Sequence, residues 1–398
     1  MIMILDRLHK SAAITTSSEL AKLSIGSITG SGAIVTADTS MRLSAVYACV
    51  RVLSESVAQL PLILYERSGS NKERAIAQNL YNLLHNAPNS FQTSFEFRET
   101  QMAHLCLRGR AYAFINRSVT GRILEILPMH PDQVKATQNK DYSISYVFTD
   151  ADKNKIPLRQ DQVFRLTGLS LDGFNGISPI SYQRESLGIS LATDSHTARS
   201  FKNGAKMTGI LKHPSTFKDS TVAKRVSESW DAASNGENAY STPVLEDGME
   251  WMPVSMTNRD AQYIESRKFN IEDIARIFRV PPHKIGHLER STNNNIEHQG
   301  LEFVTDSMMP WLVRWEQAIA RDLLTPSERQ RYFAEFLIDG IMRGDSVSRA
   351  DYFTKMWTLG ALSANEIRAK ENMNPRTDAG GDEYVKPLNM AGNENAQI

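Results

Sequence analysis

Two adjacent prolines, Pro281 and Pro282, supply the feature that most constrains this chain of 398 residues. Neither can donate a backbone hydrogen bond, and the residue before them is pushed out of the helical region, so a helix arriving from upstream has to stop there. One does arrive. From Asn258 to Val280, NRDAQYIESRKFNIEDIARIFRV sets Ala261, Ile264, Ile271, Ile274, Ala275 and Phe278 mostly three or four residues apart, as one apolar helix stripe requires. Beyond the prolines, GHLERSTNNNIEHQG has only Leu288 and Ile296 as large apolar side chains, so it cannot bury itself and must lie on a surface or in solvent. A second stripe then runs through Leu301, Val304, Met308, Leu312, Trp315, Ile319 and Leu323; Pro310 interrupts it, which predicts a kink, and Thr325-Pro326 closes it.

A length of 398 residues with 41% hydrophobic content allows two or more packed regions and excludes a disordered class. Lys+Arg and Asp+Glu are both 45, so the surface as a whole is no polyanion clamp, and any DNA contact must be local or weak. Cys49 and Cys106 both fall in apolar helical patterns, where a thiol behaves as a small hydrophobe, as suits a reducing cytoplasm. MIMILDRLHK is too short an apolar run for a signal peptide, and no apolar stretch reaches the ~18 residues of a membrane span.

Taken in order, residues 1–39 are rich in Ser, Thr and Gly and read as a loose arm. With Thr39 or Ser40 as N-cap, Leu43, Val46, Tyr47, Val50, Leu53 and Val57 form a helix ended by Pro61, and LILYER follows as a strand. AIAQNLYNLLHN is a short helix, and Thr93 with Glu96 makes a capping box for another that reaches Gly109. AYAFINR, RILEILP, QVKAT, SISYVFT and QVFRLTG then read as strands of one antiparallel sheet. A helix begins at Pro179. Val222, Val226 and Trp230 mark another, and PVLEDGMEWMPV, with Asp247-Gly248 between two apolar runs, reads as a hairpin. YFAEFLI is a strand; Val347, Ala350, Thr354 and Trp357 lie along a helix stopped at Gly360, and Ser363 with Glu366 caps the next. From Asn374 the chain reads as a loose tail. This is an α+β pattern.

The search for chemistry finds little. No phosphate-binding G-x-x-x-x-G-K-S/T is present. His283 and His287 have the spacing of a zinc pair, but Lys284 stands where a metalloprotease needs Glu, and the prolines spoil the helix that would align them. Asp194-Ser195-His196 is contiguous, whereas a working triad is assembled from separated positions. The rival function, a phage-encoded DNA-processing enzyme (nuclease or protease), would need a convergent acid cluster, a metal set or an activated nucleophile, and none stands out.

The runs DAQYIESRKFNIEDIARIFRVPPHKIG and PWLVRWEQAIARDLL, with the asparagine loop between them, resemble the HK97-like portal proteins of tailed bacteriophages. So, in the expected order, do SAVYACVRVLSESVAQLPLILYER, GISPISYQ and MRGDSVSRADYFTKMWTLGALSANEIR, and the resemblance spans Leu43 to Met390. It implies a portal-type α+β subunit. The flexible arm 1–39 precedes an α+β wing 40–216; stem helices 217–236 and 257–282 bracket a small β-hairpin clip 237–256; a tunnel loop 283–300, a kinked long helix and wing strand 301–340, a helical crown 341–373 and a loose tail 374–398 follow. It also implies a homo-oligomeric ring, a dodecamer, at one capsid vertex of the virion, assembled in the host bacterial cytoplasm. Double-stranded DNA, the terminase large subunit, the major capsid protein and a head-tail connector or adaptor are its expected partners, with no membrane, cofactor, metal or catalytic residue.

Three residue sets follow as candidates. Arg290, Ser291, Thr292, Asn293, Asn294 and Asn295 form the expected DNA-facing tunnel loop. Glu265, Arg267, Lys268, Glu272, Asp273 and Arg276 are charged stem positions available for pairing between identical neighbours. Arg199, Lys202, Lys206, Lys212, Lys218, Lys224 and Arg225 form the most basic run, which either faces nucleic acid or an acidic neighbour or is a solvated face balanced by distant acids.

Overall fold

The strand Arg110–Arg117 is buried along nearly its whole length, and its alternation feeds two different cores. The computed structural model describes residues 27–69, 71–202, 209–212, 214, 221–222, 224–226, 228–229, 248–253, 259–287, 299–300, 302–338, 346–371, 373–378 and 380–385. Ala111, Ala113 and Ile115 face a helical core, whereas Tyr112 and Phe114 face a second sheet. Small residues on the first face let the helices approach closely; aromatics on the second fill the space between sheets.

One antiparallel sheet is expected over residues 111–168, but the strands form two three-stranded sheets. Ile123–Met129 and Val163–Thr167 flank Arg110–Arg117, while Val134–Gln138, Ile144–Thr149 and Lys155–Leu158 make the other sheet. The cause is local. The 3-10 turn Pro131–Gln133 lifts the chain out of the first sheet and Gln160–Gln162 returns it, and the interposed strand Lys155–Leu158 escapes a sequence reading that takes it for a turn.

Helix Ser44–Ala58 packs against helix Ser94–Arg108 through Val46, Cys49, Val50, Leu53, Met102, Leu105 and Cys106. The capping box at Thr93 and Glu96 forms as expected. The first helix is capped differently: Thr39 completes a capping box with Thr36 on the one-turn helix Ala37–Ser40, and the long helix starts at Leu43 without a side-chain cap. Tyr47, expected on the apolar stripe, is exposed. Buried Arg98 ties this layer together. Its guanidinium donates to the carbonyls of Ala58 (2.7 Å) and Leu84 (3.1 Å), both at helix C-termini, where a cation also meets the negative end of the helix dipole. Strand Leu62–Ser68 receives Tyr332–Phe336 on one edge and Asn71–Arg74 on the other, so residues 270 apart in sequence share a sheet.

Two ends expected to be loose are partly tied down. Residues 27–40 pack on helix Arg184–Lys202: Thr29 and Val35 are buried, and the Gly30 amide donates to Glu185 Oε2 at 3.0 Å. At the other end the Asn365 side chain accepts from the Arg376 amide (2.7 Å) and donates to Asp382 Oδ1 (2.8 Å), wrapping residues 376–382 around helix Ala364–Lys370. Strand Glu250–Pro253, expected as one arm of the clip hairpin, pairs with Gly209–Lys212; the other arm, residues 243–246, lies outside the described residues.

Gly109 ends helix Ser94–Arg108 in the left-handed region (φ +69°), its carbonyl accepts from Gly168 N at 2.8 Å, and a Cβ there would stand 2.0 Å from the Ile177 carbonyl oxygen. Gly109→Ala therefore combines backbone strain with a backbone clash and should destabilise the fold by about 3 kcal/mol or more, read by denaturant unfolding.

His104 and His130 stack edge to face at 5.2 Å beside the Arg108–Asp132 pair. Burial holds His104 well below the ordinary imidazole range and brings His130 down to about 4. Both rings are thus neutral in the folded chain where the unfolded chain is already protonated, so their contribution is complete above pH 6.5 and is lost as pH falls towards 4. Unfolding free energy should decline by up to about 1.4 kcal/mol per pH unit per imidazole in that window. His130→Asn, which can still cap the turn at Asp132, should flatten the decline.

Candidate channel loop and subunit-contact surfaces

Helix Arg259–Phe278 buries Ile274, Ala275 and Phe278 and stops where the prolines require. The Val280 amide reaches back to Ala275 O (2.9 Å), and Arg279 takes the left-handed conformation (φ +56°) that helix ends usually give to glycine. Ser307 Oγ donates to the Arg279 carbonyl, joining this helix end to the far side of the loop. The chain then makes the 3-10 turn Pro282–Ile285 and leaves through Gly286 at φ +83°.

The loop is clamped at its base. His283 Nδ1 and Gln299 Oε1 are 2.7 Å apart, so residues 284–298 span a closed neck. Lys284 Nζ stands 5.8 Å from the centre of the Phe303 ring, and His287 Nε2 lies 3.6 Å from Glu272 Oε1. The two histidines thus face separate partners, and among the described residues no group of three or more His, Cys, Asp or Glu is placed to hold a metal. On the return side, the interruption at Pro310 takes the form of a π turn over Phe303–Met308. Met309 N donates to Val304 O, five residues back, just where an α-helix would bring a carbonyl against the proline ring. Beyond it Met309–Asp322 continues with Leu312, Trp315 and Ile319 buried, the stripe expected from sequence.

The tunnel-loop candidates Arg290, Ser291, Thr292, Asn293, Asn294 and Asn295 lie outside the described residues. Of the stem set, Glu272, Asp273 and Arg276 are engaged within the chain. Asp273 accepts from Ser186 Oγ (2.6 Å), fastening this helix to Arg184–Lys202, and from Arg276 (2.8 Å). Sequence spacing alone could not tell such inward pairs from pairs between neighbours. Arg267 is exposed, Lys268 is half-buried, and Glu265 lies on the same helix with its side chain outside the described residues. In the basic run Arg199, Lys212, Lys224 and Arg225 are exposed, with Lys224 4.0 Å from Glu228; Lys202 ends its helix with its side chain outside the described residues, as are Lys206 and Lys218 altogether.

The neck contact generates a test. His283→Ala removes one hydrogen bond worth about 1 kcal/mol at a local site. Limited proteolysis within residues 288–298 should accelerate roughly five-fold, the factor that 1 kcal/mol implies, while the global melting temperature hardly moves. Unchanged cleavage would show that the neck does not restrain the loop.

The "Phage portal protein" family model matches residues 44–372. The chain is 33% identical over 341 residues to the portal protein of Enterobacteria phage HK97, covering 84% of this chain and 80% of that protein. It is 31% identical over 377 residues to the probable portal protein of Streptomyces phage phiC31, covering 92% and 82%. Among solved structures, a chain from the virion of a native gene transfer agent particle superposes with a TM-score of 0.61 at 20% identity, covering 85% and 94%. An HK97 family phage portal protein from Corynebacterium diphtheriae gives 0.58 at 17% identity, covering 77% and 96%. A match over this span, with relatives above 30% identity aligned along most of both chains, establishes that the chain belongs to the phage portal protein family.

Proposed function

We propose that copies of this chain close into a ring at one vertex of a phage capsid and line the channel through which double-stranded DNA enters and later leaves. The family match across residues 44–372 carries the reading. A solved chain of the same fold, TM-score 0.60 at 20% identity over 85% of this chain and 92% of that one, comes from a gene transfer agent neck computed with C12 symmetry, and a dodecamer is accordingly the assembly proposed. The terminase large subunit, the major capsid protein and a head-tail connector are its proposed partners, the virion portal vertex its proposed location, and its role structural, with the motor supplied by another protein.

Within that ring, residues 288–298 face the channel. Their base is pinned at His283 and Gln299 between two helices, and Asn293, Asn294 and Asn295 offer hydrogen-bonding groups without charge. Each lysine–phosphate contact contributes a salt slope of about 0.9, so a ring repeating one such contact on the order of ten times would grip DNA tightly; neutral amides exchange with water at little cost and let it slide. Changing all three asparagines to Lys should leave ring formation intact, as read by native mass spectrometry, while slowing packaging in a manner that added salt relieves. Intact rings with unchanged packaging would place the loop outside the channel. A chain that stays monomeric across concentration and salt would overturn the ring.

A further inference from the structure

A ring of identical subunits joined head to tail needs two different surfaces on each chain, one fitting the other, and they must lie on opposite flanks. The wing carries such a pair at the two ends of strand Arg110–Arg117. At the Arg117 end is the hairpin tip between Val134–Gln138 and Ile144–Thr149, located by Ile144 N donating to Gln160 Oε1 (3.1 Å) and Arg117 Nε to Asp161 O (3.4 Å). Tyr142 at this tip is 82% exposed and has φ +64°, a left-handed conformation that suits asparagine or glycine and costs an aromatic residue strain. The tip is held firmly. Asn139 N donates to Ser143 O (2.8 Å), Tyr142 N to Asn139 O (3.0 Å), and Ser143 Oγ to Asp141 Oδ1 (2.6 Å). A rigid turn thus presents an aromatic ring to solvent at a strain cost that the turn itself does not require. Val119, 98% exposed on the adjacent hairpin tip, extends the apolar surface at the same end.

At the Arg110 end, about 23 Å away by strand rise, is a cavity of about 410 Å³ lined among others by Arg108, Arg110, Leu171, Asn175, Ser181 and Tyr182. Leu171 is 77% and Tyr182 64% exposed, so its rim is apolar. The polar groups inside are unequal. Arg108 is held by Asp132 at 2.8 Å, and the Asp172 carboxylate is occupied by Ser170 and by the amides of Phe174 and Asn175. Arg110 Nε is buried without a hydrogen-bond partner. The socket therefore asks for an apolar ring with a hydrogen-bonding oxygen at its end, which describes a tyrosine. The tip carries both Lys140 and Asp141, so the phenol rather than net charge is the matching feature.

We propose that Tyr142 of one copy seats in the Arg110 socket of the next, a knob-in-socket contact repeated round the ring between the wings. This rests on the ring reading given above. The rigidity of the tip means that little conformational entropy is lost when it docks.

The test uses the full chain with Tyr142→Cys and Ser181→Cys, singly and together. Cys49 and Cys106 do not compete, being buried with their thiols pushed up to about 12. Under mild oxidation the double variant should give a ladder of covalent multimers beyond the dimer on a non-reducing gel, collapsed by reductant, whereas each single variant stops at dimer or below. Rings present by negative stain with no ladder in the double variant would overturn the tip-in-socket contact and leave the ring reading standing. Absence of rings from the unsubstituted chain would overturn the ring reading and this contact with it.

Discussion

The burial of Trp315 holds the two halves of this subunit in one piece. The residue belongs to helix Met309–Asp322, which follows the polar loop in sequence, yet its ring lies 5.9 Å from Phe164 and 6.4 Å from Phe97, both from the wing. Around it the helix is fastened to strand ends by backbone acceptors and donors. Arg314 donates to the carbonyls of Thr167 and Gly168 (3.0 and 2.8 Å), Asp322 accepts from Arg165 N (2.9 Å), and Glu316 accepts from Phe336 N (3.0 Å). Apolar burial supplies the stabilisation and these directional contacts fix the register, because a helix sliding by one turn would leave several buried polar groups unpaired.

That anchorage explains how a long polar loop is tolerated between helices. A free loop between mobile ends would cost closure entropy, but here both ends are determined by packing, one by Phe278 and Val280, the other by Val304 and Met308. The neck contact at His283 and Gln299 then needs to order only a few residues. Arg279 in its left-handed conformation and the π turn before Pro310 are local irregularities at the two ends of the same loop, held in place by well-packed surroundings.

Much of the local structure was legible. Thr93 with Glu96 and Ser363 with Glu366 form their capping boxes, Gly109 and Gly360 end their helices in the left-handed region, and the stripe from Val304 to Leu323 is buried. These features depend on contacts within a turn or two, and so are written in adjacent residues. The misreadings share a different origin. Thr36 outcompeted Thr39 as a cap, residues 27–40 docked on a helix 150 residues away, and Glu250–Pro253 paired with Gly209–Lys212. Each turns on which distant segment arrives first at a free edge or face, and no local pattern encodes that.

The candidate surfaces divide in the same way. The sequence by itself determined the helix stop at Pro281-Pro282, the polarity of the loop beyond it, the absence of a phosphate-binding glycine loop and the order of runs that marks the family, since each is a property of residue type and spacing. Tertiary structure decided that Asp273 is held by Ser186 within the chain, that residues 111–168 split into two sheets, and that Tyr142 and Arg110 stand at opposite ends of one sandwich. Those outcomes depend on strand register and on how polar groups find partners across long loops. Such choices are settled by the summed burial of the whole core, not by the preferences of the residues concerned.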